Sequence, residues 1–452
     1  MHSRRKFICS VAALMTSLLT MCKPSSKNKR MKSIVKSDVI SKVLVSINGT
    51  PDQNIKEVIK LLGGIEKVVG SEDIVIIKPN LQWWNQGAPS IAACNTLIEM
   101  IMNRPGGFSG EVIIGENTHR GNEPWTKTGW ATTFERNNDL PGAKNYDDLC
   151  KLLKKNYDNH FSVSHWIDVS AGGKRVYGPQ DGNGYVYCDG TGGVPLISMS
   201  NGLDGAERRE VIMSYPIFTT DNGTVIDFKN GVWKDGSYTD QPVKFINLAA
   251  LNHHSTYCGM TSAVKNYFGI TDISNGADPE KGGKLCGNFY NFHSFAFNEW
   301  ANGPVPGIMG KEVGFFMNKI RKADLNITTA EWVGLISRTD KPVAHTKAVL
   351  ASTDPVALDY HSAKYLLLPN SGCKHHDPDW KQGPLYRYLS ECAEITGYNF
   401  GDSNVADQTY DFDIGQLQKE SNSFVYGKIN WGSNIKTMLK YLLFRFGHHF
   451  LN

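Results

Sequence analysis

The chain has 452 residues, with 48 Lys and Arg against 44 Asp and Glu, a formal net charge of +4. So even a balance excludes the strongly basic surface of a nucleic-acid binder, and no nucleic-acid partner is expected. Nine cysteines at irregular spacing do not make the framework of a small disulfide-stapled domain. Most are expected to pack as small hydrophobes, with one or two bridges left open.

The N-terminus runs from a basic segment, Ser3-Arg-Arg-Lys-Phe-Ile8, into an apolar stretch over Val11 to Leu19 and then Met21-Cys22. This pattern predicts an export signal over residues 1–22 rather than a membrane span, since crossing a bilayer takes about 20 apolar residues. Arg4-Arg5 with Phe7 fits a twin-arginine signal, an ordinary secretory signal being the alternative. Leu19-Thr-Met-Cys22 resembles a lipoprotein processing box with Met21 where a small residue is preferred, which makes Cys22 a candidate lipidation site. Residues 23–37, rich in Lys, Ser and Asn, read as a flexible tether that would favour an anionic membrane surface. The expected location is therefore exported, periplasmic or membrane-anchored facing the periplasm. About 410 residues remain beyond the tether, enough for a large core. No Pro/Ser-rich linker interrupts them, so two associated lobes are expected rather than two free domains.

Along the body, Lys42 to Ile47 reads as a strand, and Ile55 to Val69 carries apolar residues at helical spacing. Ile74 to Ile77 is a continuous apolar run, as in a strand buried on both faces of a parallel sheet. Pro89 to Met102 then reads as helix, Glu111 to Gly115 as strand, and Trp125 to Asn137 and Tyr146 to Tyr157 as helices. Such alternation implies βαβ units. From Ser162 to Phe245 short β-prone pieces are separated by Asp-Gly, Asn-Gly and Gly-Gly pairs, the residues of tight hairpin turns, and predict an antiparallel β-rich insertion. Asp181 to Asp189 lacks the ligand spacing of a calcium loop. Val243 to Leu251 returns to a buried strand, Gly259 to Phe268 reads as helix, and Leu325 to Ile336 and Lys347 to Ala351 as strands. Thr353-Asp354-Pro355 opens a helix to about Leu367. Leu385 to Thr396 and Ile435 to Phe446 read as late helices. The expected fold is α/β: a mostly parallel sheet flanked by helices over residues 38–368, with the insertion at about 162–245 and a helical extension over 369–452.

Several chemistry-bearing candidates follow strands, and others stand on helices or in loops. Lys78 and Asn80 follow directly on an apolar strand, where open α/β sheets collect ligands, and could hold a carboxylate or phosphate. His253 and His254 occupy the equivalent place after a second strand, suited to general-base or metal-ligand roles. Lys265 could neutralise an anion and Asn266 donate to its oxygens, although Asn266 with Gly269 would also serve to end a helix. Asp354 is a helix-start residue, while Asp359 in apolar company needs a partner, for which a lysine or histidine from the other motifs is the natural candidate. Cys373, His375 and His376, beside Asp377, form a candidate metal cluster, and Glu116 with His119 a weaker carboxylate-imidazole pair. No dinucleotide fingerprint, Walker loop, nucleophile elbow or His-Glu-x-x-His motif occurs.

Three segments, Ile74-Val-Ile-Ile-Lys-Pro-Asn80, Thr261-Ser-Ala-Val-Lys-Asn-Tyr-Phe-Gly-Ile270 and Ala348-Val-Leu-Ala-Ser-Thr-Asp-Pro-Val-Ala-Leu-Asp359, together resemble the bacterial and archaeal family called domain of unknown function 362. The resemblance runs from about Val43 to Leu368 and implies no general biochemical function. Where that family usually reads Lys-x-His, this chain has Asn252-His253-His254, so no lysine role carries over to Asn252. Many members carry ferredoxin-like Cys-x-x-Cys clusters; this chain has none, so no iron-sulfur ferredoxin module is expected. The expectation is one deep cleft lined by Lys78, Asn80, His254, Lys265, Asn266 and Asp359. It would serve an enzyme, redox or metal-assisted with a metal ion as its cofactor, acting on a small anionic molecule. The alternative is a non-catalytic lipoprotein that binds an anionic ligand or glycan, with Trp83-Trp84, Trp125 and Trp130 as stacking surfaces.

Overall fold

Strand β1 (Ser41–Ile47) shows how the sheet is built: Val43 and Val45 enter one apolar cluster and Leu44 the other. Strand β2 (Ile74–Lys78) repeats the pattern, with Ile74 and Ile76 on one face and Val75 and Ile77 on the opposite one. Successive strand side chains point to opposite faces, so a run apolar at every position is buried on both sides. The computed structural model describes residues 40–117, 127–200, 210–254, 258–274, 288–289, 308–413, 416–419 and 428–430. The expected signal, tether and Cys22, together with Trp125, His119, Cys286 and the helix expected over Ile435 to Phe446, lie outside the described residues.

The central sheet has 11 strands. After β1 and β2 come β3 (Glu111–Asn117), β4 (Phe161–Trp166), β5 (Val243–His253), β6 (Met260–Thr261), β7 (Leu325–Gly334), β8 (Val343–Ser352), β9 (Val405–Asp411), β10 (Gln416–Lys419) and β11 (Lys428–Asn430). The order is β10-β9-β1-β8-β7-β5-β2-β3-β4, with β6 beside β5 and β11 beside β8. Pairing is parallel from β7 through β5, β2 and β3 to β4, and again between β1 and β9; β8 runs antiparallel to β1 and β7. This is the mostly parallel α/β sheet that the apolar strand runs imply.

Helices α1 (Pro51–Leu62), α2 (Ile91–Met102) and α3 (Tyr146–Tyr157) cover one face through Ile55, Val58, Leu97, Ile101, Leu149 and Leu153. The other face is covered in part by a four-residue helix, α4 (Ala263–Asn266), by α5 (Ile308–Lys319), α6 (Pro355–Ser362) and α7 (Pro384–Thr396). The same cluster takes in Val186, Ile217 and Ile226 of the insertion. This shared core ties the insertion to the sheet, and residues 37–452 form one compact unit.

Several boundaries differ from the sequence reading. Helix α1 stops at Leu62 because Gly63 and Gly64 take left-handed backbone, with φ of 100° and 105°. The helix expected over Trp125 to Asn137 is, from residue 127, a run of turns: Trp130 and Phe134 are both buried at four-residue spacing, yet Gly129 bonds back to Leu81 and holds the segment as a loop. The insertion is shorter than 162–245, since Phe161 to Trp166 and Val243 onward belong to the central sheet. Its six-stranded sheet is antiparallel except where Arg175–Val176 runs parallel to Gly184–Tyr187. Beyond Thr396 the chain is not a purely helical extension: β9 lies parallel to β1, pairing Ser41 with Val405 through Ile47 with Asp411. No helix among the described residues is long and apolar enough to cross a membrane.

Candidate functional site

Parallel β2, β3 and β5 bring their carboxyl ends to one edge, the place where open α/β sheets bind ligands. Lys78 closes β2, Glu116 and Asn117 close β3, and His254 follows β5. These residues line a cleft of about 290 Å³ together with Asn80, Trp83, Lys265, Asn266, Phe268 and Arg338. That size lies at the lower end for small-molecule sites.

The floor is a fully engaged polar unit. Lys78, 0% exposed, contacts the Glu116 carboxylate and donates to Asn266 Oδ1 at 2.6 Å and to the Pro79 carbonyl at 3.0 Å. Burial lowers the Lys78 pKa, and the pairing with Glu116 opposes that shift. Burial likewise raises the Glu116 carboxyl to about 7, against the pull of Lys78. Asn266 Nδ2 donates to Asn247 Oδ1 at 2.7 Å and to the Lys78 carbonyl at 3.0 Å. Asn247 in turn donates to Asn326 Oδ1 at 2.8 Å, and Asn326 to the Ser352 carbonyl at 3.3 Å, so a seam of amides crosses β5, β7 and β8. Gly269 permits this packing: a Cβ there would lie 2.7 Å from Lys78 Nζ and 2.8 Å from Glu116 Oε1.

The wall is different. Lys265, 8% exposed, sits with its Nζ 4.0 Å from the Phe268 ring centroid, a cation-π contact. Among the described residues it has no hydrogen bond or ion pair to a carboxylate. Burial pushes its pKa down to about 7, with the charges of Arg338 and Lys78 pushing the same way and Cys258 opposing. Arg338, from the loop after β7, lays its guanidinium 4.7 Å from the Trp83 ring centroid. His254 Nδ1 lies 3.5 Å from Cys258 Sγ, and burial holds that thiol up at about 11. Cys258 is therefore a neutral partner at neutral pH.

Of the residues singled out in the sequence, Lys78, Asn80, His254, Lys265 and Asn266 do converge on the cleft. Asn80 acts there as a brace, accepting from the Ala250 amide and donating to the Gly87 carbonyl, each at 2.7 Å. Asp359 is not at the cleft. Its carboxylate accepts from the Ala263 and Val264 amides at 2.9 Å each, so its partner is the start of α4 and not a lysine or histidine. Burial still lifts its pKa to about 7. Asp359 thus sets the helix that carries Lys265 and Asn266.

The proposed metal cluster does not assemble. His376 is held between Ser371 Oγ, at 2.6 Å from Nδ1, and His253 Nδ1, at 2.9 Å from Nε2. His375 stacks on Trp380, with ring centroids 5.8 Å apart, and Cys373 is a buried thiol raised to about 11. Among the described residues no group of three His, Cys, Asp or Glu side chains is placed to hold a metal ion. His253 therefore belongs with His376 and not with the cleft lining.

Arg338 escaped the sequence reading because it stands in a polar loop, Ser337-Arg-Thr-Asp340, with no motif around it. Glu116 was weighed beside His119, which lies outside the described residues; its real partner, Lys78, comes from the neighbouring strand. Only the apolar runs preceding both residues signalled that their strands pair.

Residues 239–364 match the family model described as Domain of unknown function (DUF362). The match takes in β5, β6, α4, α5, β7, β8 and α6, hence Lys265, Asn266 and Asp359, but not Lys78 or Glu116. The family resemblance is thus shown over a narrower span than Val43 to Leu368. No curated protein and no solved structure matches the chain.

Proposed function

We propose that the cleft binds a small carboxylate-bearing molecule and acts on it by proton transfer. The observation that carries this reading is Lys265, a buried amine at the wall with no carboxylate partner among the described residues. A buried charge without a partner is costly, so the site favours an anion that supplies the missing partner. Arg338 offers a planar fork suited to a carboxylate, its face already backed by Trp83. With a pKa near 7, Lys265 carries or releases a proton at neutral pH, as general acid-base catalysis requires. The proposal is built on Lys265, Arg338 and His254 and assigns them proton transfer. Work outside the cytoplasm is part of the proposal, supported by the basic-apolar N-terminal pattern.

A second reading is favoured by the Trp83-Arg338 stack, which would serve a non-catalytic binder of an anionic ligand or glycan equally well. Calorimetry with acetate, lactate, succinate and inorganic phosphate on the wild type and on Lys265→Met and Arg338→Met tests the common part. We expect at least one carboxylate to bind, and affinity to fall roughly tenfold or more in each variant, as for loss of a charge-assisted hydrogen bond. Carboxylate affinity unchanged in both variants sinks the proposal. Turnover of a bound ligand separates enzyme from binder.

A further inference from the structure

We infer that Lys265 forms a reversible imine with a 2-oxo acid, its amine condensing with the carbonyl carbon while Arg338 holds the adjacent carboxylate. The inference rests on the carboxylate-binding reading above and names the substrate class. Three features of the cleft carry it. Lys265 Nζ lies against the Phe268 ring and makes no ion pair among the described residues, so no carboxylate fixes its proton. Lys78, the other lysine of the cleft, is occupied by Glu116 and Asn266 and is unavailable as a nucleophile. Arg338 and Lys265 line the same small cavity, which suits a ligand whose anionic and electrophilic groups are neighbours. An amine desolvated in an apolar pocket beside other cations is the arrangement that activates lysine as a nucleophile. The pKa of about 7 agrees with the geometry, since much of the amine is then neutral under ordinary conditions.

The reaction is a condensation and balances without any oxidant or reductant. The Lys265 ammonium first gives up a proton, and its lone pair forms the C–N bond as the carbonyl π bond opens onto oxygen. That oxygen takes up the proton to give a carbinolamine. A second proton from nitrogen then goes to the hydroxyl, which leaves as water as the C=N⁺ bond forms. One ammonium and one carbonyl thus become one iminium and one water. His254, buried and lining the same cleft, is the group assigned to move the proton between nitrogen and the departing oxygen.

The test is reductive trapping on the full chain. Wild type, Lys265→Arg and Lys78→Arg are incubated with pyruvate, phenylpyruvate or 2-oxoglutarate and sodium cyanoborohydride, then analysed by intact mass and peptide mapping. Binding is followed in parallel by calorimetry with the same acids and, as carbonyl-free controls, lactate and succinate. The expected result is a single reduced adduct on Lys265, lost in Lys265→Arg, and a trapping rate that rises through about pH 7. Adducts spread over surface lysines, or none on Lys265 while a carboxylate still binds, overturn the imine and leave the carboxylate site standing. Neither adduct nor carboxylate binding overturns both.

Discussion

Lys78 and Lys265 line one cleft, yet the fold treats their charges in opposite ways. Lys78 is wholly enclosed and engaged at once by a carboxylate, a side-chain amide and a backbone carbonyl. Lys265 is nearly as buried, rests on an aromatic face and has no carboxylate among the described residues. A buried pair with its hydrogen bonds complete holds strands together, whereas a buried amine with no carboxylate partner among the described residues is a cost to folding.

The comparison breaks most visibly at Glu116. Glu116→Gln leaves the Lys78 ammonium enclosed without its counter-charge, and we expect a loss of about 3–5 kcal/mol in urea unfolding, as when one partner of a buried pair is removed. Glu116→Gln with Lys78→Met recovers much of that loss. Gly269→Ala should cost less, about 1–3 kcal/mol in the same measurement, because its methyl presses on Lys78 Nζ and Glu116 Oε1 and the pair must shift.

Lys265→Met should have the smallest effect on stability at neutral pH, or raise it. Its signature is in the pH dependence. A lysine whose folded pKa is lowered binds fewer protons folded than unfolded, so stability should rise as pH climbs from about 7 toward the ordinary lysine value of 10.5. Lys265→Met removes that component of the rise, and thermal unfolding between pH 6 and 10 reads it. A wild-type profile with the same slope as the variant would count against an unpaired, desolvated amine.

How much of this was legible beforehand depends on whether a residue's role is set locally. The strands announced themselves through unbroken apolar runs, and Tyr146–Tyr157 matches its expected helix to the residue because Asn145 caps it, accepting from the Asp148 amide. Lys78 and His254 were readable because each stands at or just after the end of such a strand, and Lys265 because it lies in the Lys-Asn-Tyr-Phe-Gly segment that resembles the family. Asp359 was misassigned because its partners are backbone amides, which have no signature in the sequence. The Cys373 to His376 cluster misled for the converse reason: proximity along the chain says nothing about direction, and its rings turn toward Ser371, His253 and Trp380. The loop at 127–137 copied helical spacing at Trp130 and Phe134 while Gly129 tied it to Leu81.

The amide seam from Asn266 through Asn247 and Asn326 to Ser352 has a consequence of its own. Carboxamides neither titrate nor attract counterions, so this part of the mount under the Lys265 helix is insensitive to salt and pH, unlike the Asp359 carboxylate and the Lys78-Glu116 pair beside it. Ligand preference can then be rewritten at Lys265 or Arg338 while the mount stays as it is. The same backbone could be made to accept a neutral or a cationic guest, and this makes the cleft a workable starting point for redesign.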